Sequence, residues 1–430
     1  MSAHPPLSSL AHNGKLAPQE WMGAAATRRV LAALTAQGSH VRFVGGCVRD
    51  SLAGRPVKDV DIATPDTPEQ VAALLEAAAI KVVPTGIAHG TVTAVADGRP
   101  FEITTLRRDV ETDGRRAKVA FTDDWVADAA RRDFTMNALS VEPDGTVHDP
   151  FGGIADLAAG RVRFVGDAET RIREDVLRIL RFFRFHASHG RGAPDPEGLA
   201  ACRKLAGLLP GLSAERVQAE VLRLLEAADP APTIAIMIEA GIFLPILPEF
   251  VDPPRLAALV AIERRLRVAD RIRRLAALMP PGSDRGAVVA ARLRLSNADK
   301  RRVELLTRPP LPLAAIALTR DMRGWRRALQ SFGAADIRDL AFLAWADEAT
   351  LGDVAEADAQ AFADMIALAD GWTPVPFPIA GRDARARGLP SGPLIGQALD
   401  EVKRWWENED YRPDRDACLA KLDEAVARLR

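Results

Sequence analysis

The spacing of hydrophobic residues changes about a third of the way along the chain. Up to about residue 145, short apolar or alternating runs such as VRFV, GTVTAVA and FEITTL predict strands separated by helices. From residue 167 onward, apolar residues recur at helical spacing almost throughout. The pattern therefore predicts an α+β protein, in which a head with a mixed sheet is followed by an elongated all-α part.

Individual elements of the head can be placed more closely. Helices are expected over residues 20–36 and from Pro68 to about Ala79, with a strand over residues 57–63 between them. Residues 107–124, RRDVETDGRRAKVAFTDD, are too polar for the core and are interpreted as a charged loop. Proline and glycine divide the helical part near residues 209, 247–254, 280–283, 309–312 and 373–396.

Acidic and basic residues balance over the whole chain but not along it. The chain has 57 Lys and Arg residues against 58 Asp and Glu residues, yet residues 255–330 carry 18 against 6, a net charge of +12. Residues 331–430 carry 11 against 19, a net charge of −8. The basic stretch is expected to be either a surface for a polyanion or a set of solvated helix faces, and the sequence leaves both open.

The composition gives no sign of a membrane or an oxidising compartment. The chain has 430 residues, enough for two to four domains, and its first twenty lack the features of a signal peptide, which predicts a flexible arm. The most apolar run, residues 234–247, is interrupted by Glu239 and is too short to span a bilayer. Three scattered cysteines argue against disulfides and a zinc ribbon and favour the cytoplasm: Cys47, Cys202 and Cys418.

Two acidic residues lie close together in the stretch RFVGGCVRDSLAGRPVKDVDIAT, residues 42–64. In a strand, Asp59 and Asp61 point to the same face. Their carboxylates repel each other unless a cation lies between them, and oxygen ligands of this kind suit Mg²⁺. An exposed polar strand face would be the better explanation of an isolated Asp-x-Asp, so the neighbouring residues decide.

The neighbouring residues are those expected around a triphosphate. Gly45 and Gly46 end the preceding strand, where the absence of Cβ lets phosphate oxygens approach the backbone. Arg49 follows one turn into the next helix and is expected to point its guanidinium to the same place. A third carboxylate is expected on a neighbouring strand, and Glu102 in FEITT is the candidate. Together these residues predict a site for a nucleoside triphosphate and its metal ions.

A family resemblance is carried by six segments in order: GGCVRDSLAGRPVKDVDIATPDTPEQV, GIAHGTV, FEITTLRRD, RRDFTMNALS, DPFGG and REDVLRILRFFRF. They resemble the bacterial class II tRNA nucleotidyltransferases, the CCA-adding enzymes of the polymerase β superfamily. The resemblance covers about residues 40–225, including a fainter match at 211–225. Beyond residue 250 it is one of helical character.

The resemblance implies how the chain is divided. A flexible arm, residues 1–20, would precede a polymerase β-like catalytic head, residues 21–145. A helical neck that recognises the base would follow at 146–225, then an RNA-binding body at 226–310 and a tail at 311–430.

The resemblance also implies roles for individual residues. Asp59 and Asp61 would hold two catalytic Mg²⁺ ions, with Glu102 as a supporting third carboxylate. Phe134 and Met136 would pack inward. Contacts to the incoming nucleotide would come from Gly45, Gly46 and Arg49 at the triphosphate, from Arg132, and from Asp133 and Asn137 near the ribose.

A single helix is expected over REDVLRILRFFRF, with Asp175, Arg178, Arg181 and Arg184 at successive steps of three. The resemblance implies that Asp175 and Arg178 act as a protein template, which recognises a cytosine or adenine edge by hydrogen bonds. An ordinary ion pair on a solvated helix is the alternative. Because each later arginine drifts around the helix, Arg184 is expected to bind phosphate or to be structural.

The expected reaction is two-metal transfer of nucleotides from CTP and ATP to the 3′ end of tRNA, which completes CCA and releases pyrophosphate. In bacterial poly(A) polymerases, the main rivals, a basic cluster follows the glycine of the segment that here reads PTGIAHGTV without Lys or Arg. The long segment 107–124, which contains Asp113-Gly114-Arg115, favours full CCA over CC-only addition. A catalytically silent RNA-binding relative would have no reason to keep Asp59 and Asp61 together.

Overall fold

The structure, a computed structural model, describes residues 14–83, 90–113 and 116–429. The first thirteen residues of the predicted arm, the segment 84–89 with His89, and the pair Gly114 and Arg115 lie outside the described residues. The chain forms two compact units, Met1–Pro248 and Glu249–Arg430. A head with a mixed sheet is followed by helices, which confirms the predicted fold class.

A mixed sheet forms the centre of the head. Its strands, with those of a separate hairpin, are β1 (Arg42–Val44), β2 (Val60–Thr64), β3 (Lys81–Val83), β4 (Thr91–Ala96), β5 (Arg99–Thr105), β6 (Arg107–Asp113), β7 (Arg116–Phe121), β8 (Ser140–Val141) and β9 (Val147–His148). Seven of them pair in the order β3-β4-β5-β2-β1-β8-β9. β2 runs parallel to β5 and antiparallel to β1, so it lies in the interior of the sheet.

The helices of the head are α1 (Glu20–Gly23), α2 (Ala25–Leu34), α3 (Gly46–Leu52), α4 (Pro68–Ala77) and α5 (Trp125–Ala130), with a 3₁₀ turn at Thr135–Asn137. The helix predicted over residues 20–36 is interrupted at Ala24, whose backbone is extended with ψ of 144°. The start of α4 is as predicted, because Thr67 and Gln70 form a reciprocal capping box.

The segment interpreted as a charged loop, residues 107–124, contains the antiparallel hairpin β6–β7 and leads into α5. The loop interpretation was wrong because charge excludes a buried strand but not a two-stranded ladder. The backbone N–H and C=O groups of such a ladder pair whatever the side chains are.

The described end of the predicted flexible arm is attached to the head. Leu16 is buried, and its N–H donates to the Gly145 carbonyl oxygen at 2.8 Å. Lys15 forms a bridge with Thr146 and an ion pair with Asp144 at 2.5 Å. The arm prediction is therefore wrong for these residues, because Leu16 gains burial against the turn between β8 and β9.

The first unit continues with α6 (Gly153–Ala159), α7 (Ala168–Glu174), α8 (Arg178–His189), α9 (Pro196–Leu205), α10 (Ala214–Leu225), α11 (Ala231–Glu239) and a second 3₁₀ turn at Ala206–Gly211. Buried phenylalanines join these helices to the head. Phe134 lies 5.0 Å from Phe164, which stacks on Phe182 of α8 at 5.5 Å between ring centres. The burial of Phe134 and Met136 confirms that both pack inward.

The described part of the second unit is helical: α12 (Pro253–Leu266), α13 (Arg271–Ala277), α14 (Arg285–Arg292), α15 (Asn297–Thr307), α16 (Leu313–Leu318), α17 (Met322–Phe332), α18 (Ala334–Leu351), α19 (Glu356–Asp370), α20 (Gly381–Ala386), α21 (Pro393–Asn408) and α22 (Arg415–Leu429). Among the described helices, none is long and apolar enough to cross a membrane. The boundaries proposed between neck, body and tail stay predictions.

A buried charge cluster holds four of these helices together. Arg273 of α13 is fully buried and donates to Glu263 of α12 at 2.8 Å and to Asp339 of α18 at 3.0 Å. Asp339 also pairs with Arg302 of α15 at 2.6 Å. The Arg273 guanidinium lies 3.7 Å from the centre of the Phe342 ring, which adds a cation–π contact.

Several basic residues of the stretch 255–330 form ion pairs with acidic residues of the stretch 331–430. For the buried arginines Arg255 and Arg273, both expectations drawn from the sequence are wrong, because these side chains face neither a polyanion nor solvent. Pairs between the two stretches include Arg255–Asp347, Arg265–Glu356, Arg301–Asp336, Arg302–Asp339, Arg320–Asp358 and Arg326–Asp410.

Removal of the buried guanidinium of Arg273 should lower the stability of the second unit. Arg273→Ala removes one of the guanidinium partners of the buried Glu263 and Asp339 carboxylates, and we expect a loss of up to about 3–5 kcal/mol in the free energy of unfolding. Arg285→Ala, at an exposed position of α14, is the control and should change it by less than about 0.5 kcal/mol. Urea unfolding of both variants measures the difference, and equal midpoints would contradict the structural role of the cluster.

Candidate active site

A glycine turn between β1 and α3 lies beside the side chains of Asp61 and Arg132. Gly45 has φ of +72°, a backbone conformation that favours glycine. A Cβ atom on Gly45 would lie 3.3 Å from Arg132 Nη1 and 3.4 Å from Asp61 Oδ2. The Arg132 and Asp61 side chains therefore both approach Gly45 closely, and a larger residue there would crowd both.

Two of the predicted metal ligands are partners across the sheet. Asp61 of β2 pairs in register with Glu102 of β5, so the two side chains lie on the same face. Asp59 is exposed and lies one residue before β2 begins. The structure therefore brings Asp61 and Glu102 together and leaves Asp59 at the start of the same strand.

The Asp61 carboxylate has too little positive charge around it to offset its burial and its acidic neighbours. Burial, and then the Glu102 and Asp59 carboxylates, raise the pKa of Asp61 to about 6, although Arg132 and Arg49 oppose the shift. Within the described ranges, no three His, Cys, Asp or Glu side chains form a closed metal cluster. An open pair of carboxylates fits a hard cation such as Mg²⁺, which keeps water and phosphate oxygens as its other ligands.

A cavity of about 340 Å³ lies beside the glycine turn. Of the ten residues predicted to contact the nucleotide, nine line this cavity, and the exception is Arg184. Phe185 also lines it, a residue to which the sequence analysis gave no role. The lining consists of Gly45, Gly46, Arg49, Arg132, Asp133, Asn137, Asp175, Arg178, Arg181 and Phe185.

Hydrogen bonds connect the wall of this cavity from head to neck. Arg49 donates to Asn137 Oδ1 at 2.8 Å, and Asn137 Nδ2 donates to Asp133 at 2.9 Å. Asp133 is buried and also accepts from Arg181 of α8 at 2.5 and 2.8 Å. Burial alone would raise the pKa of Asp133, but the Arg181 guanidinium and the Asn137 amide hold it below its usual range.

The predicted single helix over REDVLRILRFFRF is wrong, because α7 ends at Glu174 and α8 begins at Arg178. Asp175 lies between them with an extended backbone, φ −150° and ψ 104°. Its carboxylate accepts the Leu177 N–H at 3.2 Å, which forms an Asx turn just before α8. A spacing of three residues fits both a continuous helix and a capped break, so the sequence pattern did not distinguish them.

Asp175 and Arg178 do not form the ion pair that was the alternative to base recognition. Asp175 accepts from Arg216 of α10 at 2.8 and 2.9 Å. Arg178 donates to Glu174 at 2.6 Å and to the Arg171 carbonyl oxygen at 2.6 Å. Each member of the predicted template thus has its own supporting residue, and both still line the cavity.

Arg184 lies off the cavity, in a structural contact. Its Nε donates to Glu220 of α10 at 2.5 Å, and its guanidinium lies 4.1 Å from the Phe185 ring centre. The sequence analysis did not assign Arg216 or Glu220. Their spacing of four residues in GLSAERVQAE puts both on one helix face, which was the available signal.

Comparison with known proteins shows which families this chain resembles. The model of the poly A polymerase head domain matches residues 41–163, and that of a probable RNA and SrmB-binding site of polymerase A matches 193–252. The CCA tRNA nucleotidyltransferase 1, mitochondrial, of Danio rerio is 33% identical over 399 residues, 90% of this chain and 88% of that protein. The CCA-adding enzyme of Leuconostoc citreum is 41% identical over 227 residues, 52% and 54% of the two chains.

A solved structure gives the same result for the fold. The Bacillus stearothermophilus CCA-adding enzyme, in a crystal structure with CTP, superposes with a TM-score of 0.75 at 29% identity, over 96% of this chain and 98% of that one. The head is that of a polymerase β-like nucleotidyltransferase. Within that class, the chain belongs to the CCA-adding tRNA nucleotidyltransferase family. Its relatives include bacterial and mitochondrial enzymes, so the predicted bacterial branch is not singled out.

The raised pKa of Asp61 predicts how stability depends on pH. The folded-state pKa of about 6 exceeds the unfolded value of about 3.9, so the protonated carboxyl stabilises the fold below about pH 4 and this stability is lost as the pH rises through 6. At pH 7 without metal, Asp61→Asn should therefore be more stable than the wild type, by up to about 3 kcal/mol.

Thermal unfolding of both proteins from pH 4 to pH 8, in the presence of a chelator, measures this difference. Glu102→Gln is the control, because removal of one neighbouring negative charge should lower the pKa of Asp61 and shift the transition to lower pH. Parallel curves for wild type and Asp61→Asn would show that Asp61 has an ordinary pKa.

Proposed function

We propose that this chain adds the 3′-terminal CCA to tRNA, taking CMP and AMP from CTP and ATP and releasing pyrophosphate. The observation that carries the proposal is the cavity, where residues suited to phosphate and residues suited to a base edge lie beside the Asp61 and Glu102 carboxylates. Family membership supports the same activity.

The phosphate side of the cavity consists of the glycine turn and two arginines. Gly45 and Gly46 have no side chain that would keep phosphate oxygens from the backbone. Among the described residues, Arg49 uses three of its five N–H groups on Asp50 and Asn137, which leaves two for a ligand. Arg132, next to Gly45, supplies a second cation for the triphosphate.

The catalytic residues in this proposal are Asp59, Asp61 and Glu102. With a pKa of about 6, the Asp61 carboxylate is mostly ionised at neutral pH, and Glu102 beside it adds negative charge that calls for a cation. Mg²⁺ held by Asp59 and Asp61 would lower the pKa of the RNA 3′-hydroxyl and stabilise the charge on the triphosphate. The hydroxyl attacks the α-phosphorus in line, and pyrophosphate leaves.

The base side of the cavity consists of Asp175 and Arg178. A carboxylate accepts from the exocyclic amine of cytosine or adenine, and a guanidinium donates to the ring acceptors of the same edge. UTP and GTP present carbonyl oxygens where CTP and ATP present amines, so at that position they offer Asp175 no donor. Arg216 and Glu174 hold these two side chains in place.

We also infer that the chain is a bacterial, cytoplasmic member of the family. Identity to the Leuconostoc citreum enzyme, 41% over its aligned half, exceeds the 33% found with the Danio rerio enzyme. The three cysteines are free and buried, which suits a reducing compartment. Cell fractionation tests the location, and recovery with an organelle would contradict it.

Sequencing of product ends tests the activity. Purified protein is incubated with tRNA that lacks its 3′-terminal CCA and with CTP, ATP or both. We expect CC from CTP alone and CCA from both, whereas Asp59→Ala and Asp61→Ala should retain less than about a tenth of the activity, since the metal site supplies several kcal/mol of transition-state stabilisation. Runs of adenosine on any RNA would instead identify a poly(A) polymerase, and products that stop at CC would identify a CC-adding enzyme.

Base choice depends on Asp175 and Arg178 in this proposal. Alanine at either position should weaken discrimination against UTP and GTP by about 1–3 kcal/mol, because a base contact is lost, while triphosphate affinity changes less. Arg184→Ala is the matched control, since Arg184 is on the same helix as Arg178 but off the cavity. Competition assays measure the incorporation ratios, and unchanged selectivity in both variants would assign Asp175 and Arg178 a structural role only.

A further inference from the structure

Phe185 occupies an unusual position in the cavity wall. It lies on α8, is buried, and borders the space proposed for the nucleotide. Three guanidinium groups surround its ring, with carbons 5.0 Å from the ring centre for Arg49, 5.5 Å for Arg181 and 4.1 Å for Arg184. A phenylalanine that only fills the core would not be expected to have three guanidinium groups around its ring.

Three like charges around one ring repel each other, so something must hold them. Each guanidinium is neutralised on another side by a carboxylate: Arg49 by Asp50, Arg181 by Asp133 and Arg184 by Glu220. The face of an aromatic ring carries partial negative charge and attracts cations, more strongly where water is excluded. The Phe134 ring, 5.3 Å away in an edge-to-face contact, fixes Phe185 in turn.

The ring joins the two halves of the cavity wall. Arg49 comes from α3 in the head and belongs to the phosphate side, whereas Arg181 comes from α8 in the neck. Apart from the ring, the bridge between them is the chain of hydrogen bonds through Asn137 and Asp133. Loss of the ring face would therefore leave Arg49 and Arg181 less well fixed relative to each other.

We propose that Phe185 is a positioning residue for the nucleotide, whose π face holds the guanidiniums of Arg49 and Arg181 in the arrangement that a triphosphate requires. This inference rests on the proposed function, since it assigns Arg49 to the triphosphate. Because the triphosphate is common to both substrates, Phe185 supports CTP and ATP equally and does not select the base.

Fluorination of the ring tests the proposal in the full-length protein. Phe185 is replaced by 4-fluoro-, 3,5-difluoro- and 3,4,5-trifluorophenylalanine, which withdraw charge from the ring face stepwise with little change in shape. We expect KM for CTP and for ATP to rise together by about three- to tenfold across the series, with kcat and KM for tRNA unchanged. Calorimetry of CTP binding without tRNA should show the same trend in Kd.

The same series at Phe183 is the matched control. Phe183 is on the same helix and is also buried, and its ring packs edge-on against Phe182 at 5.2 Å. Among the described residues, no guanidinium lies over it. Phe183→Leu and Phe185→Leu should both lower the thermal stability, but only Phe185→Leu should raise KM for the nucleotides.

Equal nucleotide KM across the series at Phe185, or parallel changes at Phe183 and Phe185, would overturn the inference and reduce Phe185 to core packing. That result is distinct from failure of the proposed function, in which the wild type itself neither binds CTP nor extends tRNA. An increase in KM for CTP alone would also overturn it, because the ring would then act on the base.

Discussion

The first unit depends on one physical requirement, which is that a buried carboxylate needs a positive charge beside it. Asp133 lies between the head and the neck, and an unpaired charge there would cost several kcal/mol. Arg181 of α8 and the Asn137 amide satisfy it, so the requirement fixes α8 against the 3₁₀ turn. Asn137 then orients Arg49. One buried charge thus sets the relative positions of the residues proposed for phosphate and for base.

The second unit uses the same principle for architecture alone. Its cluster around Arg273 joins four helices through charges that are buried and paired. Pairs of this kind add little net stability over an apolar core, but they penalise any packing that separates the partners. The opposite charges of residues 255–330 and 331–430 are a consequence, because each stretch supplies one side of many of the pairs.

Sequence reasoning worked where chemistry is local and failed where partners are distant. The glycine turn, Asp61 and Glu102 were found because strand alternation and spacing place them without knowledge of the fold. The break at Asp175 was missed because a cap residue and a helix residue fit the same spacing. Phe185 was given no role because periodicity does not reveal the three guanidiniums around its ring. Buried arginines such as Arg273 were expected at the surface, since charge alone says nothing about an acid 66 residues away.

The protonation of Asp61 has a consequence for how the site exchanges its cation. Below about pH 6 in the free protein, this carboxyl carries a proton that occupies an oxygen a divalent ion would use. Under those conditions, entry of an ion at the proposed site would displace the proton, so binding would release acid and the apparent metal affinity would fall as the medium becomes more acidic. In acid the proton would thereby take the place of the cation, because it removes the repulsion between Asp61 and Glu102.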